Sequence, residues 1–489
     1  MQTFAHDSGR LEGRFDLVVV GAGIVGSATA ALAARAGLRV ALLERHDLGS
    51  GTSSASSKLI HGGLRYLRMG DVRLVREALA EARVLRRTVA PHLVRELEFV
   101  LPVYEGGPYG PVAIRAALAG YGVLGGRRGR VVTPGRAAAL VPHLRVDGLR
   151  AAGVYADAQT NDARLVLANA RAAADAGAVV ATRCEVTAVA RGDGGLVVEA
   201  GGAELHARAV VNAAGPWVDA VRRLEDPQAG TSVALSKGVH LVLAAPPGLD
   251  VALTIPVDRT RVSFALPWEG MLLLGTTDSE VDSPGAAGVG AAEEEQVLEE
   301  AARGLDGDVV RPELVRARFA GLRVLPLGPG GTARTRREVT CSRGPLGMVS
   351  VAGGKLTTYR LIARSVLDAL RTELGGRVRV EPFPLPGAGA PPPLPDVPPE
   401  VAAHLVRTYG SLAGEVAAYG AFEPLVPGEP EVEAQVLYAR DREWAVDAED
   451  VLRRRTTLAL RGLSSAELEA RVRTLLSGVA GAAEADVRG

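Results

Sequence analysis

Three lysines stand among 53 arginines in this chain: Lys58 in "SSASSKLIHGG", Lys237 in "LSKGVHLV" and Lys355 in "SVAGGKLTTYR". An arginine is a fixed planar fork, whereas a lysine is a compact point charge whose pKa is tuned by burial. In a composition so poor in lysine, these three positions read as specified by chemistry rather than by solubility. Lys355 follows Gly353-Gly354 where an apolar strand gives way to a helix. A lysine there can hold positive charge beside a substrate and, with its pKa lowered by neighbouring cations, exchange a proton. His61, three residues past Lys58, is the other candidate base, because an imidazole titrates near neutrality. The pattern leaves the choice between them open.

A second constellation lies upstream. Gly21, Gly23 and Gly26 form G-x-G-x-x-G between the apolar run Leu17 to Val20 and an alanine-rich helix, and Glu44 closes the next strand. The first glycine suits a tight turn and the second a close approach of backbone to a pyrophosphate. The third lets helix and strand pack closely, and the helix N-terminus supplies amide donors. Glu44 would accept from a ribose 2′-hydroxyl, which disfavours a 2′-phosphate. FAD and NAD both fit this unit. The loop that follows, "SGTSSASSKLIHGGLRYL", favours FAD: Thr52, Ser53 and Ser57 offer hydroxyls for a pyrophosphate and a ribityl chain, Lys58 and His61 are embedded among them, and Gly62-Gly63 would let the loop lie against a flat ring.

These residues need elements to position them. The stretch from Phe15 to Arg45 reads as a βαβ unit, and "LVLANARAAADAG" as a helix ended by glycine. The middle of the chain is rich in strand-like runs such as "HLVLAA", "RVSFAL" and "MLLLGTTD". "LTTYRLIARSVLDALRTEL" is a long helix closed by Gly375 and Gly376. "LPGAGAPPPLPDVPPE" (Leu385 to Glu400) then reads as a semi-rigid polyproline connector before a helical C-terminal region. There, Arg453 to Arg455 are expected on a solvated face.

At 489 residues and 47% apolar content the chain is a multi-domain globular protein. Zero formal charge gives no footprint for nucleic acid. Cys184 and Cys341 provide neither a disulfide framework nor a metal cluster and suit a reducing, cytoplasmic setting. The N-terminus has no signal-type apolar core, and no run is long enough to span a bilayer. "YGPVAIRAALAGYGVLGGRRGR" carries apolar residues at helical spacing before an arginine cluster. It is either an interfacial helix or an ordinary surface helix.

"TSSASSKLIHGGLRYL", "NDARLVLANA", "VNAAGPWVD", "SKGVHLV", "LLLGTTD", "FAGLRVLP", "VAGGKLTTYR" and "DREWAVDAEDVLRRRTTLALRGL" resemble, in that order, the motifs of flavin-dependent glycerol-3-phosphate dehydrogenase. The resemblance runs from about residue 15 to the end. It implies an α/β fold of D-amino-acid-oxidase type: a Rossmann-like FAD-binding domain (15–90, 150–220 and 320–376), a sheet-rich substrate domain interleaved with it (91–149 and 221–319), a linker (385–400) and a small all-α domain (401–489). It implies FAD as cofactor, held non-covalently, with Val186, Ala214, Gly215, Trp217, Gly321, Leu356 and Thr357 joining the residues above. It implies glycerol 3-phosphate as substrate, its phosphate gripped by Arg65, Arg323, Arg337 and Lys355 with Tyr66 nearby, and His61, Lys355 and Arg337 as the catalytic set. It also implies a quinone acceptor and a peripheral place on the inner face of the cell membrane, and it leaves room for a homodimer. At the bilayer, Val112, Ile114, Ala117, Leu118, Tyr121 and Leu124 would dip into the interface while Arg127, Arg128 and Arg130 meet anionic headgroups. An oxidase using oxygen, and a flavin-binding docking protein without turnover, are the competing readings. The chain departs from the family pattern in "GLRVLP", in Asn161, and around Thr335 to Glu338, where Arg336 rivals Arg337.

Overall fold

A computed structural model describes residues 11, 13–64, 71–259, 261–328 and 339–478. Its first sheet grows from β1 (Arg14–Val20), apolar and fully buried from Leu17 to Val19. A strand covered on both faces needs such a continuous apolar run. β1 pairs in parallel with β2 (Val40–Leu43) and with Ala203–Asn212, the latter in parallel with Val349–Gly353, and β2 with Val179–Ala181. The helix Ile24–Arg35 lies on this sheet with almost every residue buried. Its alanines and glycines bring the backbone close to the helices Asp162–Asp175 and Tyr359–Ala369.

The second sheet is largely antiparallel and is built on two long ladders, Val94–Tyr104 with Leu149–Thr160 and Val233–Ala244 with Val315–Pro326. Leu59–Ile60 adds at its edge, pairing with Gln159 and Ala158. Residues 59–60, 150–160 and 320–326, expected in the FAD-binding domain, are thus strands of this second sheet. The chain crosses between sheets within the hydroxyl-rich loop rather than near residue 90, because the loop must bridge both.

The proline-rich segment is not a free spacer. The Leu385 amide donates to the Val89 carbonyl at 2.8 Å, and a Cβ on Gly387 would lie 2.5 Å from His92 and 2.6 Å from the Tyr409 carbonyl. The C-terminal helices Pro399–Tyr409, Glu433–Arg442 and Ala466–Ser477 follow. The arginine triplet departs from its expectation. Arg454 and Arg455 are 4% and 1% exposed and ion-pair with Asp47, itself 1% exposed. Arg455 Nη2 reaches Asp47 Oδ1 at 2.7 Å and Arg454 Nη2 reaches Asp450 Oδ1 at 2.6 Å. Arg164 and Glu443 make a second buried tie at 2.7 Å. Charge runs usually sit in water, but here the partner that draws the pair inward, Asp47, comes from a distant part of the chain and cannot be foreseen from a window.

The helix Pro111–Gly125 also corrects an expectation. Ile114, Leu118 and Tyr121 are its buried face, 3%, 2% and 4% exposed, so they do not face outward. Val112 and Val123, each 83% exposed, mark the outer face.

Candidate active site

Between the two sheets lies a cavity of about 480 Å³ that takes residues from both, from the glycine turn after β1 to the aromatic face of the second sheet. Gly21 adopts φ +97°, and a Cβ there would meet the Ala213 carbonyl at 2.7 Å, so only glycine makes this turn. A Cβ on Gly26 would fall 1.9 Å from the Gly21 carbonyl oxygen, which would force the helix off the strand. Gly26 is therefore a packing glycine behind the wall, while Gly21 and Gly23 line the cavity.

Glu44 accepts the Ala22 and His46 amides, each at 2.9 Å, and burial raises its carboxyl above the usual range. A carboxylate has room for further donors, so a ribose hydroxyl can still be accommodated. Ser53 Oγ accepts the Ile24 amide at 2.9 Å, and Thr52 Oγ1 donates to the Leu322 carbonyl at 2.7 Å. The loop is thereby fastened to the helix N-terminus on one side and to the second sheet on the other. Gly321 permits this approach, since a Cβ there would lie 2.2 Å from the Ala55 carbonyl. Val186, Ala214, Gly215 and Trp217 line the same end, and Arg45 lies over the Trp217 ring at 4.6 Å.

The three lysines separate. Lys58, 2% exposed, stands behind the loop. Its Nζ donates to the Ser54 carbonyl at 2.6 Å and to Asp162 Oδ1 at 2.7 Å, over the rings of Phe319 and Trp268. Asp162 Oδ2 accepts from both the amide (3.1 Å) and the hydroxyl (2.6 Å) of Ser56. Lys58 is thus the strut of the cofactor loop rather than a cofactor ligand, and it holds its own backbone at φ +59°. Lys237 pairs with Glu293 at 2.8 Å. Lys355 alone lines the cavity, after the positive-φ pair Gly353 and Gly354 and at the start of Leu356–Thr358, with Leu356 and Thr357 beside it.

His61 also lines the cavity. Its amide donates to Thr357 Oγ1 at 3.0 Å, and that hydroxyl donates back to the His61 carbonyl at 3.2 Å, which clamps the two candidate bases' segments together. Gly62 turns away from the cavity: a Cβ there would strike Leu79 and the Tyr121 hydroxyl, both at 2.6 Å. Arg323 enters from the second sheet, with Nη1 donating to the Thr277 carbonyl at 3.1 Å and Nη2 to Thr276 Oγ1 at 3.2 Å. Arg65, Tyr66, Arg336 and Arg337 lie outside the described residues.

Two lining residues were not anticipated. His240 shares a hydrogen bond with Ser57 Oγ at 2.9 Å and stacks on Phe319 at 4.8 Å; burial, then Arg323 and Lys58, lower its pKa to about 3, so it is neutral. Its signal was present in "SKGVHLV", whose alternation places His240 on the face opposite Val239. Asp157 had no signal: nothing in "YADAQT" distinguishes it from a surface acid. Burial raises its pKa to about 7.

A family profile described as FAD dependent oxidoreductase matches residues 16–360, and one described as the C-terminal domain of alpha-glycerophosphate oxidase matches residues 350–486. The chain belongs to the flavin-dependent glycerol-3-phosphate dehydrogenase family. It is 37% identical to glycerol-3-phosphate dehydrogenase 1 of Mycobacterium tuberculosis, covering 92% of each chain, and 35% identical to the mitochondrial glycerol-3-phosphate dehydrogenase of Macaca fascicularis, covering 93% of this chain and 68% of that one. The fold is that of the glycerol-3-phosphate dehydrogenase of Bacillus halodurans solved with FAD, at a TM-score of 0.73 and 24% identity, covering 98% and 97% of the two chains. FAD is the cofactor of this fold. The cradle left by Gly21 and Gly23, the remaining acceptor capacity of Glu44 and the hydroxyl-rich loop fit it.

Proposed function

We propose that this chain oxidises sn-glycerol 3-phosphate at C2 to dihydroxyacetone phosphate and passes the electrons to a membrane quinone. The observation that carries the reading is Arg323: its guanidinium, steadied by Thr276 and the Thr277 carbonyl, opens on the cavity that also takes Lys355 and His61. Relatives 35–37% identical over nine-tenths of the chain are named for this substrate. A phosphate dianion is best held by convergent guanidinium and ammonium groups through charge-assisted bonds. Arg323 and Lys355 are two such groups, and Arg65, Tyr66 and Arg337 are assigned to complete the grip.

Bound FAD supplies the hydride acceptor at N5. The protein's part is to fix the alcohol and take its proton. His61 and Lys355 are both presented from backbone joined through Thr357 and line the one cavity, so either is a candidate to take the C2 hydroxyl proton. Lys355 and the amides at the start of Leu356–Thr358 add positive potential where negative charge develops. Phe99, Tyr155 and Phe264 give the same cavity an aromatic lining. Membrane docking is assigned to the outer face of Pro111–Gly125, where Val112 and Val123 stand exposed near Arg115 and Arg128. Among the described residues no helix is long and apolar enough to cross a membrane.

The test is turnover of FAD-loaded protein with glycerol 3-phosphate, glycerol or glycine, using either a soluble quinone analogue or oxygen as acceptor. Turnover with glycerol 3-phosphate and the quinone analogue is expected. Oxygen consumption equal to quinone reduction would make the enzyme an oxidase, and activity on glycine would remove the phosphate reading. Arg323→Ala should raise KM for glycerol 3-phosphate about 10- to 100-fold, the equivalent of losing one hydrogen bond to a charged group.

A further inference from the structure

Gly62 directly follows His61, and its amide proton is shared between two acceptors that belong to neither the loop nor the first sheet. It donates to the Tyr121 hydroxyl at 3.0 Å and to Asp157 Oδ1 at 3.2 Å, while Tyr121 donates to the same Oδ1 at 2.6 Å. One carboxylate oxygen thus gathers a loop amide and a phenol from the surface helix Pro111–Gly125. We propose that Asp157 is a positioning residue for His61: it holds the Gly62 amide from the side of the second sheet while Thr357 holds the His61 backbone from the other. The two clamps are independent, because Asp157 lies on the Leu149–Thr160 strand and Thr357 at the start of the Tyr359–Ala369 helix.

The clamp is sensitive to protonation. An ionised Asp157 accepts both bonds, whereas a protonated one carries a hydroxyl that competes as a donor and weakens the hold. Burial is the dominant influence and raises the group to about 7, against the two bonds that favour its ionised form. The titratable groups facing it are Tyr121 from the surface helix and Tyr155 from its own strand. Tyr155 is tied to Thr254 Oγ1 at 2.7 Å and meets the Tyr121 ring edge-on at 5.9 Å. Burial drives both phenols well above their ordinary range, so neither titrates in the working window. Leu97 is its cross-strand partner, and among the described residues no cation forms an ion pair with it. The folded-state pKa lies above the unfolded one, so the clamp is complete above about pH 7 and is lost as pH falls through that value.

The experiment uses FAD-loaded full-length protein and compares the parent with Asp157→Asn and Tyr121→Phe. Two readouts are taken from pH 5.5 to 9: kcat with KM for glycerol 3-phosphate, and the visible flavin spectrum without substrate. The second stands even if the substrate assignment fails. In the parent, both kcat and the flavin band should titrate near pH 7. Asn keeps the shape and one acceptor but not the charge, so Asp157→Asn should flatten both titrations. It should lower kcat at pH 8 about tenfold, the difference between a bond to a charged and to a neutral acceptor, with KM nearly unchanged. Tyr121→Phe removes a donor that favours the ionised form and should move both midpoints to higher pH. Asp157→Asn with the parent's titration and kcat overturns the proposal. So does a defect confined to KM or to FAD content, which would mark a merely structural role.

Discussion

Replacing Lys58 by Met tests the division of labour among the lysines. Its ammonium and the Asp162 carboxylate are 2% and 1% exposed, 2.7 Å apart, and the Ser54 carbonyl takes a second ammonium proton. Methionine fills the stem's volume but leaves Asp162 buried with only the Ser56 hydroxyl and amide and the Ala163 amide as donors. Breaking a buried pair from one side costs about 3–5 kcal/mol. For a chain of this length, at roughly 1 °C per kcal/mol, that is a fall of about 3–5 °C in Tm. Thermal unfolding followed by circular dichroism and by release of flavin fluorescence would measure it. Lys58→Met with Asp162→Asn should recover part of the loss, because the uncompensated carboxylate is gone. With FAD in excess, the kcat of Lys58→Met should stay within a few-fold of the parent's. An unchanged Tm with a collapsed kcat would refute the argument and return Lys58 to the reacting centre.

Lys355→Met should show the opposite pattern, losing about 10²- to 10³-fold in kcat with little change in Tm, as for removal of one electrostatic partner of a transition state. Lys355→Arg should recover KM better than kcat if the ammonium exchanges a proton. Gly26→Ala should abolish FAD retention, measured by flavin absorbance after gel filtration, because its methyl would overlap the Gly21 carbonyl. Val112→Asp with Val123→Asp should weaken sedimentation with anionic vesicles while sparing dye-linked turnover, each substitution placing a charge where the exposed face meets lipid. Sedimentation equal to the parent's would take this helix away from the membrane.

The parts of the molecule that repeat a local rule were legible in the sequence. The turn at Gly21 and Gly26 and the helix Asp162–Asp175, ended at Gly177, satisfy their chemistry locally and stand as read. By contrast, the helix expected to run to Gly375 and Gly376 ends at Ala369, and the hydroxyl-rich loop is fastened by Asp162, His240 and Leu322, 106 to 270 residues away. What escaped depended on partners far along the chain. Lys58 looked like a ligand because its loop is full of ligands, yet Asp162, 104 residues away, draws it inward. Asp157 gave no periodic signal, since its importance comes from the Gly62 amide and the Tyr121 hydroxyl meeting it from two other elements. The helical spacing of Tyr109 to Arg130 identified an amphipathic helix but not which face pointed inward. An apolar stripe is the same signal whether a sheet or a bilayer covers it.

The buried pairing of Asp47 with Arg454 and Arg455 has a consequence in time as well as in space. Asp47 lies three residues past Glu44, buried between the cavity-lining His46 and Gly49, and its partners stand 407 and 408 residues later. During synthesis the glycine turn and its helix leave the ribosome first, with Asp47 exposed and without the cations that neutralise its burial. At about 5–20 residues per second the partners arrive roughly 20–80 s afterwards. Until then the cofactor-binding half is an unfinished surface that chaperones can hold, and mature FAD affinity belongs to the completed chain. A chain stalled or cleaved before residue 454 would therefore accumulate as a flavin-poor species, however intact its nucleotide-binding residues.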